Sequence, residues 1–586
     1  MRCLRLGAGL LGALTIVGAV GAAEPAAPQP KGPVVELPKF EVTDSRLLPP
    51  QEAWRYAQIP GFEILSNMSA NATKRFVEDF LLLQIVIEVI MPGLARGNIP
   101  VPTALILTGK GNSFDQFVPT EQEETRYGRN TLFFQNPERS AIVVDFALAE
   151  LQLSDNSTEE SDPYRGFYLE YFRFLVRKHS TTKPPDWFEE GLVQIFAAMD
   201  FNRKWITFAQ IGDGFGGPKT GDFNRRLSQR ALIPFKDFLA TSPLDAAMGP
   251  PPARRRDAFW SAQCYAWVHM CLYGQNQKFQ KGFLQYVKRL ATEEPTEELF
   301  KECFKIDYNK MALELRGYVD FTNYKAMQYT AKKGQELPKP PPIDLKDAPD
   351  AVVGRLKGEV LRMAGHGENA RNALIAPYVR GERDPRLLAA LGLDEKLAGK
   401  NDRARKFLEA ASNAKVDRAT AYLELARLRF DEARAVPGGA NGQLSAVQVG
   451  GVLTPLFTAR KTPPSMADVY ALIAQTWTLS EQAPEREHFE VVVEGVKLFP
   501  RDTSLVMDAA MLAAKRGFPH DAVALAKLGM RVSKEPGERD RFEILASAFK
   551  RDANGDEVAA QADADAKKQD APAPARTPGP VLQDLK

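Results

Sequence analysis

A proline-rich break near the middle of the chain, Leu337-Pro338-Lys339-Pro340-Pro341-Pro342, separates two stretches that cannot share one packing plan. Upstream of it, short runs of β-forming residues alternate with helical periodicity. Downstream, Ala, Leu, Arg and Glu recur in helical patterns with short breaks and little strand signal. At 586 residues the chain is also too long for one ordinary core. The sequence therefore predicts an α+β half, with a small mixed sheet and helices, followed by an all-α helical-repeat half. The expected boundaries are a signal peptide at 1–23, a Pro-rich arm or linker at 24–58, an α+β domain at 59–328, a linker at 329–350, helical repeats at 351–551 and a disordered tail at 552–586.

The N-terminus has the form of an export signal: Arg2 and Arg5, an apolar run from Leu6 to Val20, then Gly21-Ala22-Ala23 before Glu24. The run is short for a bilayer span, so export to a periplasmic or extracellular space is expected, with an uncleaved anchor as the alternative. No membrane span is expected once the signal is cleaved. Basic and acidic residues number 76 and 74, so nothing points to nucleic acid. Cys264, Cys271 and Cys303 are too few and too scattered for a disulfide scaffold or a cysteine-based zinc site; buried free thiols are expected, with one bond to Cys303 as the alternative.

Within the first half, strands are expected near 62–65, 103–108, 131–134 and 141–146. Helices are expected at 70–90 with Asn71 as cap, at 163–178, at 186–199 with Asp186 as cap, and in five further segments from 234 to 319. In the second half, Leu391 and Leu425 recur 34 positions apart, and Ala474 and Ala510 recur 36 apart. Small residues at close helix crossings with a period near 34 resemble tetratricopeptide repeats. The Gly-rich insertion at 437–451 is expected to break the array, and a non-repetitive bundle is the other reading.

Chemistry points to one place. A zinc hydrolase of the two-histidine type needs imidazoles four residues apart on one helix face, with a glutamate between them as base. The chain holds five histidines, His179, His269, His366, His488 and His520, and no two are four apart. Yet Tyr168-Leu169-Glu170-Tyr171-Phe172-Arg173 and, after Pro184-Pro185, Trp187-Phe188-Glu189-Glu190-Gly191-Leu192 have the frame of such a site. Over 61–320 the order of segments resembles the peptidase MA-like branch of the gluzincins. The resemblance rests on Gly61-Phe62-Glu63-Ile64-Leu65, on 104–118, on Leu232-Ile233-Pro234-Phe235 and on Phe259-Trp260-Ser261-Ala262-Gln263. It implies Glu170 as the vestigial general base, Glu190 as the carboxylate ligand, and Trp187, Glu189 and Gly191 as cleft-lining residues. Leu169 and Arg173 stand where the two histidines would be, so no metal and no cofactor are expected.

Two carboxylates facing an apolar interior need a counter-charge. Arg173 follows Glu170 by three residues on the same helix face, so its guanidinium is expected to tie Glu170 to Glu190. An ordinary exposed Glu170–Arg173 pair is the alternative. His179 beside Lys178 reads as a solvated loop residue, His269 as a core histidine, Gly212-Asp213-Gly214-Phe215-Gly216-Gly217 as a surface loop, and Arg254-Arg255-Arg256 as a solvated loop. The function expected is an exported, non-catalytic protein with a pseudo-peptidase domain and a repeat domain that binds a polypeptide or cell-envelope partner. The alternative is a hydrolase with an atypical carboxylate site around Glu170 and Glu190. In a third view, the first half is only a structural base for the repeats.

Overall fold

The computed structural model describes residues 36–40, 48–91, 101–111, 113–119, 130–147, 163–179, 184–197, 199–209, 227, 230–241, 251–290, 293–321, 327–332, 334–533 and 535–549. The expected signal peptide, the Gly-rich loop at 212–217, the tail from 552 and the side chains of His179 and Arg254 to Arg256 lie outside the described residues.

The first half is built on a six-stranded mixed sheet. Its strands are β1 (Arg55–Ile59), β2 (Phe62–Ser66), β3 (Thr103–Thr108), β4 (Thr131–Gln135), β5 (Ser140–Asp145) and β9 (Lys346–Asp347), in the order β4-β5-β3-β2-β1-β9. β2, β3 and β5 run parallel, and the flanking pairs are antiparallel. All six residues of β3 are buried, which requires cover on both faces. Leu105, Leu107, Ile142 and Val144 point to one face, while Ala104, Ile106, Ala141 and Val143 point to the other.

Helices of the first half cover the first face. These are α1 (Ala70–Ile90), α2 (Pro163–His179), α3 (Asp186–Ala197), α4 (Phe235–Ala240), α5 (Pro251–Tyr273), α6 (Gln280–Arg289), α7 (Glu297–Phe304) and α8 (Tyr308–Phe321). Phe76 and Phe80 of α1 meet Phe167 and Tyr171 of α2 edge-on, and Phe80 also meets Phe62 of β2. Ser69, not Asn71, caps α1 by accepting from the Ala72 amide. Asp186 is the first residue of α3 and places its carboxylate in the first turn, where the helix dipole favours it. Arg254 to Arg256 belong to α5 rather than to a loop, because Pro251 and Pro252 start the helix earlier. A small sheet, β6 (Asp200–Phe201), β7 (Trp205–Phe208) and β8 (Met327–Thr330), closes this half.

The second half is an array of antiparallel helix pairs: α9 (Asp350–Met363) with α10 (Gly367–Val379), α11 (Pro385–Leu397) with α12 (Asn401–Asn413), and α13 (Ala419–Ala435) with α14 (Ala446–Lys461). It continues with α15 (Ala467–Leu479) and α16 (Arg486–Leu498), α17 (Thr503–Lys515) and α18 (Pro519–Val532), and ends on α19 (Pro536–Phe549). The leading helices begin at 350, 385, 419, 467, 503 and 536, in steps of 35, 34, 48, 36 and 33. Leu391 and Leu425 each occupy the seventh position of α11 and α13, and Ala474 and Ala510 the eighth of α15 and α17. The array is thus a TPR-like helical repeat. Close crossings demand small residues: a Cβ on Gly354 would lie 2.5 Å from the Ala373 carbonyl oxygen. The insertion lengthens one step without breaking the array. Its Leu444 is buried and pairs through its backbone with Leu479 and Glu481, and Gly450 and Gly451 fall inside α14.

The expected linker is tied into both sheets. β8 pairs with β7, and β9 pairs with β1, while Pro338 and Pro340 to Pro342 lie between the two strands, where no ladder amide is required. Moreover, the second face of the large sheet is covered by the first repeat. Val353, Leu356 and Val360 of α9 and Ala370 and Ala373 of α10 form one core with Leu65, Ile106, Leu132, Phe134 and Val143. His366 Nε2 donates to the Val118 carbonyl at 2.7 Å. Of the Pro-rich arm, the described residues Pro38 and Phe40 are docked as well. Phe40 meets Tyr378 edge-on at 5.6 Å and stacks on Phe407 at 5.9 Å, and the Tyr378 hydroxyl donates to the Pro38 carbonyl.

Candidate functional site

Helix α2 brings Leu169, Glu170, Arg173 and Arg177 together through its periodicity. Glu170, Arg173 and Arg177 are spaced by three and four residues and so share one face, while Leu169 turns against the core. The loop through Pro184-Pro185 returns the chain antiparallel, and α3 presents Glu189, Glu190 and Gln194 to that face.

Arg173 sits among all three glutamates. Its Nη1 donates to Glu170 Oε1 at 2.5 Å, its Nη2 to Glu190 Oε2 at 3.3 Å, and its Nε lies 3.1 Å from Glu189 Oε1. Arg177 grips Glu189 with two parallel hydrogen bonds of 2.8 Å, from Nε and Nη2. Glu190 Oε1 accepts from Gln194 Nε2 at 2.6 Å and from the Ser261 hydroxyl of α5. Burial works to lower the Arg173 guanidinium, but Glu170, Glu190 and Glu189 outweigh it and hold it above the usual arginine range. The cluster is partly screened from water: Arg173, Glu170 and Glu190 keep about a fifth of their side-chain surface, and Glu189 is buried.

The arrangement ties α2, α3 and α5 together by charge-assisted hydrogen bonds. Among the described residues, no group of three or more His, Cys, Asp or Glu side chains is arranged to hold a metal ion. All three residues expected to line a cleft are buried, Glu189 in the charge cluster and the other two in the interior. Trp187 packs on Trp267 at 4.5 Å and against Phe283 and Tyr286, because an indole this large finds its contacts in the aromatic core between α3, α5 and α6. Gly191 permits the crossing of α3 and α5: a Cβ there would stand 2.5 Å from the Cys264 carbonyl oxygen and from Val268 Cγ2.

Arg177, Gln194 and Ser261 belong to the cluster and were not expected from sequence. Arg177 and Gln194 carried a local signal, lying four residues after Arg173 and Glu190. Ser261 carried none, since its partner lies 71 residues away. Elsewhere, His269 is a satisfied core histidine. Its Nδ1 accepts from the Tyr318 hydroxyl at 2.7 Å, its Nε2 donates to the Ala209 carbonyl at 3.2 Å, and burial pulls its pKa down to about 4. Cys264, Cys271 and Cys303 are buried and form no disulfide among the described residues. No helix among the described residues is long and apolar enough to cross a membrane.

No family model matches the chain, and no curated protein sequence matches it. Among solved structures, the chain is similar to a thermophilic TPR protein from Thermus thermophilus, at 15% identity over 33% of this chain and 96% of that one, with a TM-score of 0.25. A likeness of that size adds nothing to the repeat architecture that the helix pairs already display.

Proposed function

We propose that this chain is an exported, non-catalytic protein whose α+β half keeps the frame of a gluzincin-type peptidase without its chemistry, and whose repeats bind another polypeptide or a cell-envelope component. The observation that carries the reading is Arg173. In the resemblance it stands at a histidine position, and its guanidinium lies against the carboxylates that correspond to base and ligand. A guanidinium there opposes a divalent cation by charge and occupies the carboxylate lone pairs a metal needs. The repeats support the binding half of the reading, since stacked helix pairs offer extended surfaces suited to protein partners.

Metal content and peptidase activity test this together. The purified protein, dialysed against excess zinc, is expected to retain only substoichiometric metal and to hydrolyse a mixed peptide library no faster than Glu170→Gln. Stoichiometric zinc with activity lost in Glu170→Gln would establish the hydrolase reading instead. Export is read separately, by fractionation and N-terminal sequencing, with Glu24 as the expected first residue.

A further inference from the structure

A second charge cluster, independent of the first, lies where the sheet meets the repeats. Glu63 points out of β2 and is almost wholly buried. It receives two hydrogen bonds from Arg355 of α9, at 2.6 and 3.2 Å. Arg139, in the turn between β4 and β5, reaches Glu63 at 3.5 Å and also pairs with Glu359. Arg418, at the start of α13, grips Glu138 at 2.8 and 2.9 Å and Glu359 at 2.6 Å. Arg386 of α11 approaches Glu63 at 3.5 Å from a half-exposed position. Four guanidinium groups therefore share three carboxylates around a cavity of about 40 Å³. Asp417 also lines it, exposed at the rim, and makes no ion pair among the described residues.

Three features make this cavity more than a set of ion pairs. The Arg139 side chain is more than nine-tenths buried, yet its Nε–H has no partner among the described residues. A buried, unpaired charged donor is costly enough that native structures rarely leave one unanswered. The N-cap residue of α13, Arg418, makes no side-chain cap hydrogen bond, and with it the positive end of the helix dipole comes to the cavity beside the Glu138 carboxylate. With Asp417 the cavity itself balances four guanidinium groups against four carboxylates, and the excess of cations lies just outside it, where Arg362, Arg371 and Arg403 share Asp394 and Glu395.

We propose that this cavity at the joint between sheet and repeats binds one compact inorganic anion, through Arg139, Arg386 and the N-terminal end of α13. Charge at the site agrees. Burial, followed by Arg418 and Arg355, pushes the Arg139 guanidinium down to about 9 against the pull of Glu63 and Glu138, so an added negative charge there is favoured. Size narrows the ligand class, because a cavity of about 40 Å³ seats a halide or a small oxyanion. The anion would fix the repeats to the sheet, since its ligands come from the β4–β5 turn, α11 and α13.

Thermal unfolding of the full chain at constant ionic strength tests the proposal, with sodium gluconate replaced stepwise by chloride, bromide or phosphate. A compact anion that binds only the folded chain should raise Tm saturably by roughly 2–4 °C over gluconate. Comparison of the chloride and phosphate arms separates a halide from an oxyanion. Arg386→Ala, a half-exposed change the fold should tolerate, is expected to weaken the apparent affinity at least about tenfold, the loss of one charge-assisted contact. Crystals grown with bromide, or with selenate where only the phosphate arm raises Tm, should show the anomalous signal beside Arg139, which decides the matter even if Arg386→Ala fails to fold. Identical melting in all salts, an unchanged response in Arg386→Ala, or an anomalous ion of the stabilising class bound only elsewhere would overturn the proposal.

Discussion

The two charge clusters use the same residue types and differ in almost everything else. The one centred on Arg173 draws its charged groups from within 21 residues of sequence, on two adjacent helices, and keeps partial contact with water. The one centred on Glu63 gathers residues from 63 to 418, and its central Glu63–Arg355 pair is almost fully buried. Low dielectric strengthens attraction and raises the cost of an unpaired charge alike, so the buried cluster should hold more firmly and fail more abruptly. It also sits where a boundary between independent domains would be expected, and it makes that boundary a joint.

The largest break in this comparison comes from separating the halves. A chain ending at residue 349 loses α9 and α10 and exposes Leu65, Ile106, Leu132 and Val143. Each such side chain is worth about 1.5–3 kcal/mol of burial, so this fragment should not yield a soluble, cooperatively melting monomer, as sedimentation and circular dichroism would show. Recovery of a stable, folded fragment would mean that the shared core is dispensable.

Next in size, Glu63→Ala leaves Arg355 and Arg139 buried without their shared carboxylate. A loss of about 3–5 kcal/mol is expected in denaturant unfolding. A loss below about 1 kcal/mol would show that the junction is open to water.

Acid should act in two steps, first at His269 in the helical layer and then at Glu63 in the sheet. His269 stays neutral in the folded chain down to about pH 4, whereas its ordinary value is 6.5, so the unfolded chain takes up that proton first. Stability therefore falls as the pH drops from about 6.5 to about 4. For Glu63, burial works to raise the carboxyl, but Arg355, Arg139 and Arg386 bring it down from 4.5 to about 2, so a second loss follows as the pH falls through that range. His269→Gln should flatten the first slope and leave the second, measured by urea unfolding at fixed pH values.

The smallest effect belongs to the half-exposed cluster. Arg173→Ala should cost about 1–2 kcal/mol, because Glu189 keeps Arg177 and Glu190 keeps Gln194 and Ser261. A cost as large as that of Glu63→Ala would erase the distinction between the two clusters.

Legibility in the sequence followed range of interaction. The strands at 103–108 and 140–145, the helix from 70 to 90 and the equivalent positions of Leu391 and Leu425 all rest on local periodicity, which one chain displays directly. Arg173 was legible because its spacing from Glu170 places both on one helix face. Trp187 was misplaced as a cleft residue, since a motif gives the identity of a side chain but not which side of the helix meets the core. Glu63 was the missed signal: a lone carboxylate in an otherwise apolar buried strand requires a cation, and only the fold could name Arg355, 292 residues away.

The sequence by itself determined that the chain has an α+β half and a helical half, and that no pair of histidines four apart exists to bind zinc. Which element covers the second face, and which arginines answer Glu63, were decided only in three dimensions. Periodicity reports how much surface an element must bury, whereas its partner is selected by shape and charge complementarity between segments far apart in the chain. The proline-rich break divides two patterns of sequence, and the fold joins them again through one core and one buried charge cluster.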